Sequence, residues 1–115
     1  MRRFKVEILA SVLLLAVTVI PLAQVVGHDF VNYDDNVYVT ENFLIQTPLD
    51  LDNVWTALTQ TKRSGHWHPL TWISLSLDYN IYGLNPLGFH LTNLILHSLN
   101  VLLLFAVLRL GTNTV

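Results

Sequence analysis

The sequence predicts an all-α membrane protein: two transmembrane helices joined by an extracytoplasmic loop that contains short amphipathic helices. Three observations predict it. Residues 8–26 and 86–110 are apolar stretches of bilayer-crossing length. Only 12% of the 115 residues are charged, against roughly 25% in soluble domains, which need charge over their surface. The charges are also sorted. Arg2, Arg3 and Lys5 precede the first stretch and Arg109 closes the second, whereas residues 27–85 hold Asp29, Asp34, Asp35, Glu41, Asp50, Asp52 and Asp78 against only Lys62 and Arg63. The positive-inside rule then makes residues 1–7 and 111–115 cytoplasmic and the loop extracytoplasmic. The expected membrane is a plasma membrane or one of the endoplasmic-reticulum type. No basic patch exists for nucleic acid. The absence of cysteine excludes disulfides, thiol chemistry and zinc–thiolate sites.

The first stretch, residues 8–26, matches the ~20 residues that a helix needs to cross the hydrocarbon layer. Pro21 sits near its outer end, where a kink is tolerable. A cleaved signal peptide is the rival reading, but the apolar run exceeds the usual 7–15 residues. In the loop, Thr47-Pro48-Leu49-Asp50 resembles a capping box. Leu51, Val54, Trp55 and Leu58 follow at i, i+3, i+4 and i+7. An amphipathic helix is therefore expected near residues 48–62, ending on Lys62, Arg63 and Gly65 and lying at the outer membrane face. A second is expected near residues 69–82, from Pro69 after His68 to a stop at Gly83. Trp55, Trp67, Trp72, Tyr79 and Tyr82 suit an interfacial aromatic belt.

The second span, residues 86–110, begins with Asn85 as N-cap and Pro86 at the first helical position. Gly111 suits its end. Twelve Leu, Ile, Val and Phe lie between Leu91 and Leu108, giving roughly −4 to −7 kcal/mol of insertion free energy. Against this, His90, Asn93, His97 and Asn100 recur at spacings of three and four, so they share one helix face. A polar stripe in a membrane helix needs a partner, and hydrogen bonding between helices explains it at least as well as catalysis does.

Chemistry has three candidate locations. Tyr33-Asp34-Asp35-Asn36 places paired carboxylates just outside the first span, an arrangement suited to a general base or a metal ligand. An acidic surface turn uses the same residues. His66-Trp67-His68 offers two imidazoles at i, i+2, but a metal site needs a further ligand. The third is the stripe on the second span.

The segments FVNYDDNVYVTEN (residues 30–42), LDLDNVWTAL (49–58) and HWHPLTWISLSLDYNIYGLNPLGFHLTNLILHSLNVLLLF (66–105) resemble the N-terminal part of the transmembrane and tetratricopeptide-repeat proteins. These resemble C-type glycosyltransferases of the protein O-mannosyltransferase kind. The resemblance implies an integral membrane enzyme that takes a mannose-like sugar from a polyprenyl- or dolichyl-phosphate carrier. It passes the sugar to a protein hydroxyl or another acceptor on the extracytoplasmic side. The acidic pair of the first outer loop maps onto Asp34 and Asp35 as catalytic groups. His68, His90 and Asn93 are the candidates for binding the substrate and its phosphate. A divalent metal is compatible with this site, though nothing requires one.

The resemblance also implies further membrane helices and a tetratricopeptide array, which is not in these 115 residues. The chain is thus expected to be a fragment of a larger polytopic fold, inactive alone. Its expected partners are membrane lipid, the lipid-linked sugar donor, the acceptor, and either the remaining helices or a partner subunit. The alternative is a non-enzymatic two-span assembly subunit whose histidine–asparagine stripe binds partner helices.

Overall fold

The computed structural model describes residues 2–59 and 66–112. It contains four α-helices: α1 (Arg2–Leu22), α2 (Leu51–Thr59), α3 (Pro69–Tyr82) and α4 (Pro86–Thr112). A 3₁₀ turn, Ala23–Gly27, extends α1, and one π-helical turn covers Asn36–Thr40. The stretches Phe4–Gly27 and Pro86–Thr112 are long and apolar enough to cross a membrane. The expected end of the first loop helix at Lys62, Arg63 and Gly65 lies outside the described residues. The chain divides into two compact units.

One unit comprises residues 1–26 and 91–115. Here α1 and α4 run antiparallel: Glu7 is ion-paired with Arg109, Leu15 and Leu102 line one cavity, and Val19 meets Leu94 and Ile95 in the next. Residues 26 and 91 therefore lie at the same end of the pair. The facing side of α4 is Leu94, Ser98, Leu102, Phe105 and Arg109, a helical seam at intervals of three and four. The packing is open. Cavities of about 430 and 350 Å³ separate the two helices, and none of the apolar window of either helix is buried. Ser98 spends its hydroxyl on the Leu94 carbonyl at 2.8 Å, so it asks nothing of α1.

The other unit, residues 27–90, has a small core of Val39, Ile45, Ala57, Trp72 and Phe89. Tyr38 stacks on Trp72 with centroids 5.1 Å apart, and Phe30 meets Phe89 edge-on at 5.4 Å. Trp72 is fully buried and Tyr79 and Tyr82 are half-buried. This corrects the aromatic belt: the spacing that puts Trp72 on a helix face cannot say that the face turns inward. Only Trp55 and Trp67 of the three tryptophans are exposed.

The start of α2 is also corrected. Its N-cap is Asp50, whose Oδ1 accepts the Asn53 amide at 2.8 Å, not Thr47. The Thr47 hydroxyl is committed to the Leu44 carbonyl at 2.8 Å, and the helix begins at Leu51. Asn80 ties this segment to α3, accepting from the Leu49 amide and donating to the Thr47 and Ser76 carbonyls.

The corner between α3 and α4 is tight. Gly83 takes φ +63° and donates to the Tyr79 carbonyl at 2.7 Å, a left-handed stop that favours glycine. Asn85 then caps α4, its Oδ1 accepting from Leu87 and its carbonyl from Gly88. A methyl group at Gly88 would collide with the Cβ and Cγ of Tyr82, so only glycine lets the two helices close here.

Two outcomes are expected. Gly88→Ala should destabilise the loop unit by about 1–3 kcal/mol, as overpacking against a ring root does, read as a lowered denaturation midpoint. Glu7→Arg alone should broaden the distance distribution between spin labels placed at Ser11 and Ala106. Adding Arg109→Glu should restore the narrow distribution if the ion pair sets the helix register.

Candidate functional site

The acidic turn is built from backbone bonds first. The Asp34 carbonyl accepts from the Val37 amide at 3.0 Å and from Tyr38 at 2.9 Å, and Asn36 accepts from Glu41 at 2.8 Å, the i+5 bond of a π turn. The two carboxylates have different situations. Asp35 is half-buried, and its Oδ2 accepts the Val31 amide at 2.8 Å, closing the turn on itself. Asp34 is exposed, and no described group donates to its carboxylate. One acid holds the loop while the other is available to a visitor.

Behind the turn, two amides replace regular secondary structure. Asn42 is fully buried; it donates to the Tyr38 carbonyl at 3.0 Å and accepts the Leu44 amide at 3.2 Å. Gln46 donates to the carbonyls of Val39 at 2.8 Å and Thr40 at 2.9 Å. Buried backbone groups must be paired, and these side chains pair them where helix or sheet does not.

A polar hollow of about 300 Å³ opens beside the turn, lined by Phe30, Val31, Asn32, Asn36, Thr40 and Glu41. The Asn36 Oδ1 is buried there without a hydrogen-bond partner. Sequence reasoning missed the hollow. Its one signal is the spacing of Asn32, Asn36, Thr40 and Glu41, which share a face only once the turn is known to be helical.

The histidines approach the turn only through aromatic rings. His68 is half-buried, 6.4 Å from Trp72 between ring centroids, and Trp72 stacks on Tyr38. His90 is half-buried, 6.4 Å from Phe30, and its Nε2 is buried without a partner. Neither histidine bonds to Asp34 or Asp35 among the described residues. His66 and His68 lie 5.4 Å apart, but no group of three His, Asp or Glu side chains converges as a metal cage among the described residues. Asn93, His97 and Asn100 are exposed on α4, and none lines the cavities shared with α1. The stripe thus turns away from the helix it was free to meet.

Comparison with known proteins gives three relatives. The chain is 35% identical over 83 residues to "Protein O-mannosyl-transferase Tmtc1" of Drosophila melanogaster, covering 67% of this chain and 10% of that protein. It is 31% identical over 96 residues to "Protein O-mannosyl-transferase tmtc2" of Xenopus laevis, covering 78% and 11%. It is 28% identical over 90 residues to "Protein O-mannosyl-transferase TMTC4" of Homo sapiens, covering 72% and 12%. The chain therefore spans about a tenth of the length of these relatives. No family model and no solved structure matches it. With its two apolar helices, the similarity makes this an integral membrane protein.

The division between the acids is open to measurement by hydrogen exchange. Asp35→Ala should speed exchange of the Val31 amide roughly five- to tenfold, the loss of about 1–1.5 kcal/mol. Asp34→Ala should leave that amide unchanged.

Proposed function

Because this chain resembles the protein O-mannosyl-transferases over most of its length, we propose that it is part of a membrane glycosyltransferase. That enzyme passes a mannose-like sugar from a polyprenyl- or dolichyl-phosphate to a hydroxyl of a protein or other acceptor. In this reading residues 27–90 lie on the extracytoplasmic side and residues 1–7 and 111–115 are cytoplasmic, as the sorting of charge favours. The observation that carries the proposal is the exposed, unbonded Asp34 carboxylate on a turn that Asp35 closes.

The chemistry requires such a group. An alcohol is a poor nucleophile, and a positioned carboxylate takes its proton as the oxygen attacks the anomeric carbon. The bond to the lipid phosphate breaks, and the departing phosphate carries the electron pair. Donor groups near that oxygen lower the barrier; His68, His90 and Asn93 are the candidates in this chain. Asp35 is a positioning residue, since its carboxylate is already used on Val31. The hollow at Asn32, Asn36 and Glu41 has the polar lining that sugar or acceptor hydroxyls need. A divalent ion, if bound, would add charge stabilisation at the phosphate.

The exposed stripe of Asn93, His97 and Asn100 then faces the helices that complete the donor pocket, and the 115 residues alone have no transfer activity. The same stripe would also serve a non-enzymatic assembly subunit, so activity has to separate the two.

The test is a chimera in which residues 27–90 replace the matching loop of a full-length relative. Asp34→Asn should lower sugar transfer by about 10²-fold or more, the usual contribution of a general base, with insertion unchanged. Transfer that survives in both the Asp34→Asn and Asp35→Asn chimeras would refute the catalytic assignment of the acidic pair, and a chimera with the unsubstituted loop that does not transfer would favour the subunit.

A further inference from the structure

The cavities of about 430 and 350 Å³ between α1 and α4 share Leu15 and Leu102 in their linings, so they form one groove along the pair. Its wall on α4 runs from Leu94 to Arg109, about 22 Å at the helical rise of ~1.5 Å per residue. Polarity is confined to one end. Glu7 and Arg109 meet there as an ion pair, and their side chains stay 21% and 39% exposed. From Leu15 to Leu94 the walls are Leu, Ile and Val, apart from Ser98, whose hydroxyl is spent within α4. We propose that this groove holds one acyl chain of an anionic phospholipid, with the lipid phosphate against the Arg109 guanidinium.

Three features favour a lipid over a further helix. A groove with one charged end and an apolar remainder has the polarity of an amphiphile; a packed helix has no such division, because its backbone groups are satisfied internally. The depth also fits. One leaflet of the ~30 Å hydrocarbon layer is about 15 Å thick, which an acyl chain entering beside Arg109 covers down to the level of Leu99. Finally, α1 opens with Arg2, Arg3 and Lys5, and Arg109 stands at the same end, so four basic side chains face Glu7 as the one acid. Basic pockets between membrane helices recognise phosphate headgroups.

Arginine suits the task because its guanidinium offers several N–H donors in a fixed fork that matches phosphate oxygens. The contact of Nη2 with the Glu7 carboxylate does not use them all. Glu7 and the phosphate are then rivals for one cation. This inference depends neither on sugar transfer nor on the loop.

The test is native mass spectrometry of the full chain in a mild detergent, offered equal amounts of phosphatidylglycerol and phosphatidylcholine with the same acyl chains. One phosphatidylglycerol should stay bound when the detergent is stripped, about fivefold more abundantly than phosphatidylcholine, the effect of one basic residue near a membrane surface. Glu7→Gln should raise that ratio, because the rival acceptor is gone, and the E7Q/R109Q chain should lower it below the wild-type value. Ala106→Trp fills the groove and should lose bound lipid of either kind. Val107→Trp, at an exposed position outside the groove, should keep it. The proposal is overturned if Ala106→Trp retains as much lipid as Val107→Trp, which marks lipid around the helices rather than between them. It is also overturned if the wild-type chain does not distinguish the two lipids, or if it flies as a lipid-free dimer, which gives the groove to a second copy.

Discussion

Hydrocarbon offers no hydrogen bonds, and every other feature of this chain follows from that constraint. A backbone crossing it must satisfy its own amides and carbonyls, which leaves the helix as the economical solution. Two such helices, α1 and α4, consume nearly half of the chain. Their antiparallel course returns the polypeptide to the side it left, and residues 27–90 must fold between two nearby anchor points. Membrane helices gain little from apolar burial against one another, because lipid is as apolar as leucine. The open cavities between α1 and α4 are consistent with this, and the Glu7–Arg109 pair at one end is a directional contact where nonpolar packing alone specifies little.

Between the anchors the problem reverses. Sixty-four residues, two short helices and five buried apolar side chains make a small core, too small to order the irregular segments by burial alone. Amide side chains do the ordering. Asn42 and Gln46 hold the π turn from behind, and Asn80 holds residues 47–49 against α3. Each supplies partners to backbone groups that no helix serves, and a missing partner in such a place costs about 1–3 kcal/mol.

The acidic pair shows how adjacent residues of one type acquire different work. Successive side chains on a turn point in different directions, so only one of Asp34 and Asp35 can reach back to the Val31 amide. The bonded acid gives the turn its shape. The other stays in solvent, next to a hollow whose asparagine oxygen has no partner. Both carboxylates serve the chemistry proposed for the turn, one through geometry and one through its free oxygens.

Composition and periodicity alone determined the all-helical class, the two apolar spans and the helical character of the loop. These depend on local quantities: run length, helix period, proline and glycine positions. The acidic turn was legible as a candidate for the same reason, a short motif outside a span. Burial was not. The spacing of Trp55 and Trp72 marks both as helix-face residues, yet one is exposed and the other sits at the centre of the core, because a face acquires a direction only when another element packs on it. The cap of α2 moved from Thr47 to Asp50 because Leu44, three residues upstream, had already claimed the threonine hydroxyl. Likewise the polar stripe of α4 was visible as a line, but its turning away from α1 was decided by the seam of Leu94, Leu102 and Arg109. Long-range competition for partners has no signature in a single chain, and that competition is what the tertiary structure settled.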